Sequence, residues 1–259
     1  MDKTNMPTMR LGVAVPTYNE VANIEQLVTQ IYQAVQGLVF ECTVLIIDDN
    51  SPDGTGDLAD QLVTKLSSES FHIEVLHRSV KEGLGRAYIA GLQELLAGNY
   101  THILQMDADM SHDPRYIRDF IEAAKSTDLV VGSRYIPGGA TPDWAPHRKL
   151  LSSLGNVYSR LMLGRAIHDY TGGYNLYSAG LLRMVQVDSI TAGGYGFLIE
   201  LKYRAVQCSR SCIEVPIIFH DRTQGKSKIP KNIILDNAVL VARLKIRTLR
   251  RTVFVAELS

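Results

Sequence analysis

Residues 102–114 read HILQMDADMSHDP, an apolar run that stops in a cluster of carboxylates. His102–Met106 has the length and bounding of a buried strand. Asp107-Ala108-Asp109 follow directly at its carboxyl end. Two carboxylates at i and i+2 past a strand end can both reach one divalent cation beside a bound diphosphate. Magnesium takes only one or two protein carboxylates and completes its shell with phosphate oxygens and water. An isolated Asp-x-Asp more often caps a helix, here the one near Pro114, than it binds a metal, so the surrounding sequence has to separate the two.

Outward from this stretch, Leu11–Pro16, Thr43–Asp48, Ile73–His77 and Leu129–Gly132 read as further buried strands. Val21–Val35, Gly56–Leu66, Gly85–Ala97 and Arg115–Lys125 carry helical patterns between them. Such alternation predicts an α/β fold: a Rossmann-like, mostly parallel sheet with helices on both faces. Ligands of such sheets bind beyond the carboxyl ends of the strands. Those ends carry Thr17–Glu20, Asp49–Gly54, Glu82–Gly85 and Asp107–Asp113. A tyrosine offers its face to a nucleobase, and carboxylates accept from base and ribose donors. Taken singly, Asn19 is also a helix cap and Asp49–Gly54 ordinary turn chemistry. Together on one sheet edge they favour a nucleotide-diphosphate site.

Beyond Tyr135 the pattern is irregular. Ile136–Arg148 reads as a loop, Lys149–Leu163 as a helix, Leu181–Val187 as part of another and Ile213–Phe219 as a last strand. The charged loop His220–Lys228 follows; Gly225 gives it freedom, and Arg222, Lys226 and Lys228 are cations that can close over phosphates. With no repeat or linker, one catalytic domain is expected over 1–232, followed by a basic helical tail over 233–259. That tail interleaves apolar residues with Arg243, Lys245, Arg247, Arg250 and Arg251, too many charges for a membrane span. It suits either an anionic membrane surface or packing on the domain.

At 46% hydrophobic and 21% charged, the 259 residues hold ample apolar material for a core. A formal net charge of zero gives no whole-chain attraction to nucleic acid, which is not expected as a partner. Cys42, Cys208 and Cys212 lack zinc-ligand spacing and fit a reducing compartment as small hydrophobes. The seven histidines show no zinc spacing either; His112 lies near the acidic cluster by position alone. Gly83-Leu84-Gly85 lacks the third glycine of a dinucleotide fingerprint. No signal-peptide core precedes the first strand and no uncharged apolar run reaches about 18 residues. A cytoplasmic protein, peripheral at the cytosolic membrane face, is therefore expected.

The ordered series PTYNE (16–20), DDNSPDGT (48–55), GLGRAYIAGL (83–92), DADMSHDP (107–114), GSRY (132–135), RKLLSSLGN (148–156) and DRTQGKSK (221–228) resembles the family-two inverting glycosyltransferases of the GT-A fold. Within them it is similar to the dolichol-phosphate (polyprenol-phosphate) mannose synthases. The resemblance implies that Pro16, Tyr18, Glu20, Ile47 and Asp49 bind the donor nucleoside. It implies that Asp107, Ala108 and Asp109 hold the diphosphate with Mg2+ (or Mn2+), Asp109 being the primary metal ligand. Arg134, Arg222 and Lys228 match phosphate-contacting cations; Arg134, Arg148 and Ser152 match the acceptor-phosphate site. Asp107, Asp109 and Arg134 are thus the implied catalytic residues. Some members carry Gln two positions after the second aspartate, where this chain has Ser111.

The implied reaction is inverting transfer of mannose from GDP-mannose to dolichyl or polyprenyl phosphate, giving a β-linked mannosyl phosphate. A phosphate monoester, with a second pKa of about 6, is largely dianionic at neutral pH and needs no strong general base. That accounts for the lack of an obvious nucleophile–base pair in the sequence. A UDP-glucose or UDP-N-acetylglucosamine donor, or an inactive scaffold, are the alternatives. The implied partners are a nucleotide-sugar donor, a lipid-phosphate acceptor, a peripheral membrane contact and, alternatively, a membrane protein.

Overall fold

A computed structural model of the chain describes residues 9–37, 41–221 and 231–256. The chain alternates β1 (Arg10–Thr17), α1 (Ile24–Val35), β2 (Glu41–Asp48), α2 (Thr55–Leu66), β3 (Phe71–His77), α3 (Leu84–Ala97) and β4 (His102–Gln105). It continues through α4 (Ile117–Ala124), β5 (Leu129–Ser133), α5 (Pro146–Leu163), β6 (Asn175–Ser178), α6 (Ala179–Val185), α7 (Gly196–Cys208), β7 (Cys212–Pro216) and α8 (Lys231–Ala256). Among the described residues the strands form one seven-stranded sheet of order β3-β2-β1-β4-β6-β5-β7. Neighbours are parallel except at β6, which is antiparallel to both β4 and β5.

β1 and β2 are buried at all but their first positions. Helices cover both faces of the sheet, which is why these strands read as continuous apolar runs. Successive side chains point to opposite faces. Leu11, Val13 and Val15 accordingly join the core beneath α1, α2 and α4, while Ala14 joins the core beneath α3, α6 and α7. α1 buries Ile24, Leu27, Val28, Ile31 and Val35, the spacing of one helical face. Gly91 lets α3 lie close on β2, since a β-carbon there would sit 2.3 Å from Ile47 Cδ1.

Two elements depart from the sequence-based expectation. β6 inserts antiparallel between β4 and β5, and α7 occupies a stretch with no amphipathic period. α7 buries nearly its whole length, Glu200 and Lys202 included, so it has no polar face to betray it. The tail helix α8 packs on the domain: Val241 and Leu244 are buried in the core, and Tyr158 Oη donates to the Ala238 carbonyl at 3.2 Å. Arg243 and Arg247 remain exposed on it, while the side chains of Arg250 and Arg251 lie outside the described residues. None of the three cysteines is in a disulfide, and burial pushes the Cys42 thiol up to about 12. Among the described residues no helix is long and apolar enough to cross a membrane.

Candidate active site

Three loops leave the carboxyl ends of β1, β2 and β4 through residues with positive φ: Asn19 at 60°, Asn50 at 58° and Met110 at 64°. Asparagine tolerates this left-handed conformation; an unbranched apolar residue does so less readily. Met110 directly follows Asp109, so the local strain falls beside the acidic pair, where functional sites often store it.

The acidic pair is held from several sides. Asp107 Oδ1 accepts a 2.6 Å hydrogen bond from Tyr88 Oη on α3, and its backbone N–H donates to His112 Nδ1 at 2.8 Å. That bond makes Nδ1 the unprotonated nitrogen of the imidazole. Burial lowers the His112 pKa, against the pull of Asp107 and Asp109, so the ring is neutral there. Burial, then Asp107, pushes the Tyr88 hydroxyl well above its ordinary value, which keeps it a donor. Asp109 is 5% exposed and its Oδ1 accepts from the Ser111 backbone N–H at 3.1 Å and from the Ser111 hydroxyl. Ser111 therefore orients Asp109 through a direct bond.

Opposite this loop lies the segment 169–173. A β-carbon on Gly173 would sit 3.5 Å from Asp107 Oδ2. Arg134, just past β5, is clamped by Asp169 at Nε–Oδ2 2.7 Å and Nη2–Oδ1 2.8 Å, and Nη2 also donates to Thr171 Oγ1 at 2.8 Å. Its Nη1 makes no hydrogen bond among the described residues. Burial alone would raise the Asp169 carboxyl, but Arg134, with help from Lys202, holds it well below the usual carboxylate range. Lys202 on α7 is fully buried and its Nζ donates to the carbonyls of Asp169 and Gly172 at 2.6 and 2.7 Å. Burial lowers its pKa to about 8.

The start of α5 supplies the adjoining wall. Tyr135 Oη donates to Ser152 Oγ at 2.7 Å, and Arg148 Nη1 donates to Asp221 Oδ1 at 3.0 Å. Asn156 ties the helix to the 169–173 segment, accepting from Tyr170 N–H at 2.8 Å and donating to Thr171 Oγ1 at 3.0 Å. The structure thus brings Asp107, Asp109, Arg134, Arg148 and Ser152 to one edge. Arg222 and Lys228 lie outside the described residues.

On the β1–β2 side the picture is mixed. Tyr18 is half-buried and its ring lies under Lys81, whose Nζ is 3.4 Å from the centroid. Asp49 pairs with Arg78 and accepts from Gly83 N–H at 3.2 Å. Glu20 accepts from Asn23 Nδ2 at 2.7 Å. Pro16 is buried in β1 opposite Ile47, and the Ile47 side chain is sealed in the core against α3, as is Ala108 on the other face of the sheet. All three residues are buried. Sequence reasoning did not find Tyr88, Asp169 or Lys202; only an Asp-x-Thr-Gly-Gly turn at 169–173 marked the second segment.

Among the described residues no cluster of three or more His, Cys, Asp or Glu side chains could hold a metal by itself. Two carboxylates with hard oxygen donors, and no thiolate beside them, instead fit a magnesium-like ion that completes its shell with phosphate and water.

Comparison with known proteins adds four findings. Residues 12–185 match the family described as "Glycosyl transferase family 2". The chain is 40% identical over 235 residues to the undecaprenyl-phosphate mannosyltransferase of Micrococcus luteus, covering 91% of this chain and 93% of that one. It is 39% identical over 245 residues to the polyprenol monophosphomannose synthase of Mycolicibacterium smegmatis, covering 94% and 90%. Among solved structures, it resembles glucosyl-3-phosphoglycerate synthase from Mycobacterium tuberculosis, crystallised with Mn2+, UDP and glucosyl-3-phosphoglycerate. The TM-score is 0.59 at 20% identity, over 93% of this chain and 78% of that one, a likeness of GT-A fold alone.

Proposed function

Because the chain belongs to glycosyl transferase family 2, we propose that it transfers mannose from GDP-mannose to a polyprenyl phosphate, with inversion to a β-linked mannosyl phosphate. The observation that carries the reading is the placement of the 169–173 segment, which holds Arg134 through Asp169, against Asp107 of the acidic pair, in a chain about two-fifths identical to two polyprenol-phosphate mannosyltransferases. A carboxylate pair suits the donor diphosphate through a cation; fixed guanidinium groups suit a second phosphate.

Asp107 and Asp109 would hold Mg2+ or Mn2+, which when bound screens the diphosphate and stabilises it as a leaving group. Tyr88, His112 and Ser111 keep the two carboxylates oriented. Asp169 fixes one edge of Arg134 and leaves Nη1 for a phosphate, so little reorganisation is needed as charge develops. Arg148 and Ser152 adjoin it as acceptor-phosphate ligands, and Arg222 and Lys228 complete the cation set. Tyr18, Glu20 and Asp49 serve the nucleoside, with Pro16, Ile47 and Ala108 contributing backbone. The acceptor's dianionic phosphate attacks without a protein base. The site geometry agrees: His112 is occupied with the Asp107 backbone, and Lys202 is turned to two carbonyls.

The same reading includes a peripheral contact with the membrane carrying the acceptor, at its cytosolic face. α5 runs from Arg148 and Ser152 with Leu150, Leu154, Val157 and Leu161 exposed along it, and α8 exposes Leu235, Val239 and Ile246 beside Arg243 and Arg247. We assign residues 1–232 to the catalytic domain and 233–259 to a tail that helps seat it. The test is a donor panel with purified protein, a short polyprenyl phosphate and each divalent metal. GDP-mannose should turn over best. A preference for a UDP-sugar would replace the donor, and no transfer from any sugar would leave the inactive scaffold.

A further inference from the structure

Trp144 lies in the loop between β5 and α5, 7% exposed. Both cations of the acceptor side lie against its indole: Arg148 Cζ is 4.1 Å from the ring centroid and Arg134 Cζ is 5.3 Å. Phe219 meets the ring edge-on at 5.5 Å and also lies 5.4 Å from Arg134 Cζ. Phe219 in turn packs edge-on against His112, the residue that holds Asp107. The indole Nε1–H is buried and has no hydrogen-bond partner among the described residues. Buried indole donors are normally satisfied, and one left open beside two guanidinium groups calls for an acceptor.

We propose that Trp144 belongs to the acceptor-phosphate site, where its ring positions Arg134 and Arg148 and its Nε1–H supplies a further donor to the bound phosphate. This rests on the reading of those arginines as phosphate ligands. Guanidinium groups stacked on an aromatic face keep their N–H edges directed while desolvated. An anion between them would then meet cations on one side and a neutral donor on another. The ligand chemistry is a phosphate monoester, whether from a prenyl lipid or as free phosphate.

Trp144 is the one tryptophan of the chain, so indole emission reports on this residue alone. The full chain is titrated with farnesyl phosphate, inorganic phosphate and farnesol. Farnesyl phosphate should change the emission saturably and inorganic phosphate should do so more weakly, whereas farnesol should not. Trp144→Phe, which keeps an aromatic face and loses the donor, should raise KM for farnesyl phosphate about tenfold, with donor KM and kcat nearly unchanged. Trp144→Leu should raise it about threefold further. Emission indifferent to farnesyl phosphate at concentrations that saturate transfer would overturn the proposal. So would a Trp144→Phe enzyme whose acceptor KM is native, or whose donor KM and kcat fail equally. If that variant does not fold, the wild-type titration decides. Emission that answers phosphate in a protein transferring no mannose would leave Trp144 in place and refute the proposed reaction instead.

Discussion

Arg134 and Asp169 form a two-point ion pair, Nε–Oδ2 2.7 Å and Nη2–Oδ1 2.8 Å, with side chains 6% and 0% exposed. Removing one partner of a buried pair leaves an uncompensated charge, typically a loss of about 3–5 kcal/mol. Asp169→Asn should therefore lower stability by roughly that amount and, by freeing Arg134, lower transfer as well. Paired replacement by Arg134→Met and Asp169→Asn, which removes both charges and keeps Oδ1 as acceptor for the Thr171 and Gly172 N–H groups, should recover much of the stability and none of the activity. Urea unfolding of the wild type and the two variants checks this; a double variant as unstable as the single one would speak against a charge effect.

Asp109→Asn should keep the fold, because an amide oxygen can still accept from Ser111. Turnover should fall by about a hundredfold or more, the scale of losing one transition-state electrostatic partner. Melting temperature and turnover are measured on the same sample. Near-native turnover at saturating magnesium would remove Asp109 from the metal site.

Lys202 makes stability depend on pH. Its folded pKa is about 8 against an ordinary 10.5, because burial disfavours the charged form. The unfolded chain holds that proton across this window and the folded chain does not, so stability should rise with pH from about 8 to 10.5. The destabilisation is fully present below the lower value, and its relief amounts to about 3 kcal/mol in order of magnitude. The buried Cys42 thiol and the buried tyrosines pull the other way from about pH 9 and 10, inside the same window, so the comparison is with Lys202→Met. A Lys202→Met profile parallel to wild type between the two values would contradict the account.

GDP-mannose with magnesium should raise the melting temperature more than UDP-glucose does, since a ligand selective for the native state stabilises it by about 3 kcal/mol at a hundred times its Kd. Omitting the metal should remove most of the protection. Equal protection without metal would show that Asp107 and Asp109 do not act through a cation.

Replacing Leu150, Leu154 and Leu161 by Ser should leave melting close to native, because these side chains are more than half exposed. Transfer to long acceptors in anionic vesicles should fall several-fold, while transfer to short soluble acceptors should be spared. Liposome flotation should weaken in parallel. Equal loss on both acceptors would make α5 a structural helix only.

Several of these residues were legible before the structure and several were not. Asp107, Asp109 and Arg134 follow strands whose apolar runs are plain, so their placement at the sheet edge needed only the strand assignment. Tyr18 and Asp49 were placed by the same logic, but their engagement with Lys81 and Arg78 was not visible, because it depends on how the loop after β3 folds back. Pro16 and Ile47 matched a motif by position while their side chains belong to the core.

The chain's own sequence determined β1 to β5 and α1 to α4, because periodicity and turn chemistry act between near neighbours. It also set the acidic pair at the end of β4. Tertiary structure alone decided the rest. β6 pairs with β4 across about seventy residues, as in Gln105 with Asn175, and local propensity carries no information about a partner so far away. α7 is enclosed on all sides, which erases the polar face that would mark it as a helix. Asp169 lies 35 residues from Arg134, and Trp144 meets its cations only when the loop before α5 closes over them. Which charges neutralise each other, and which donors stay open to a ligand, is settled by burial, and burial is a property of the assembled fold.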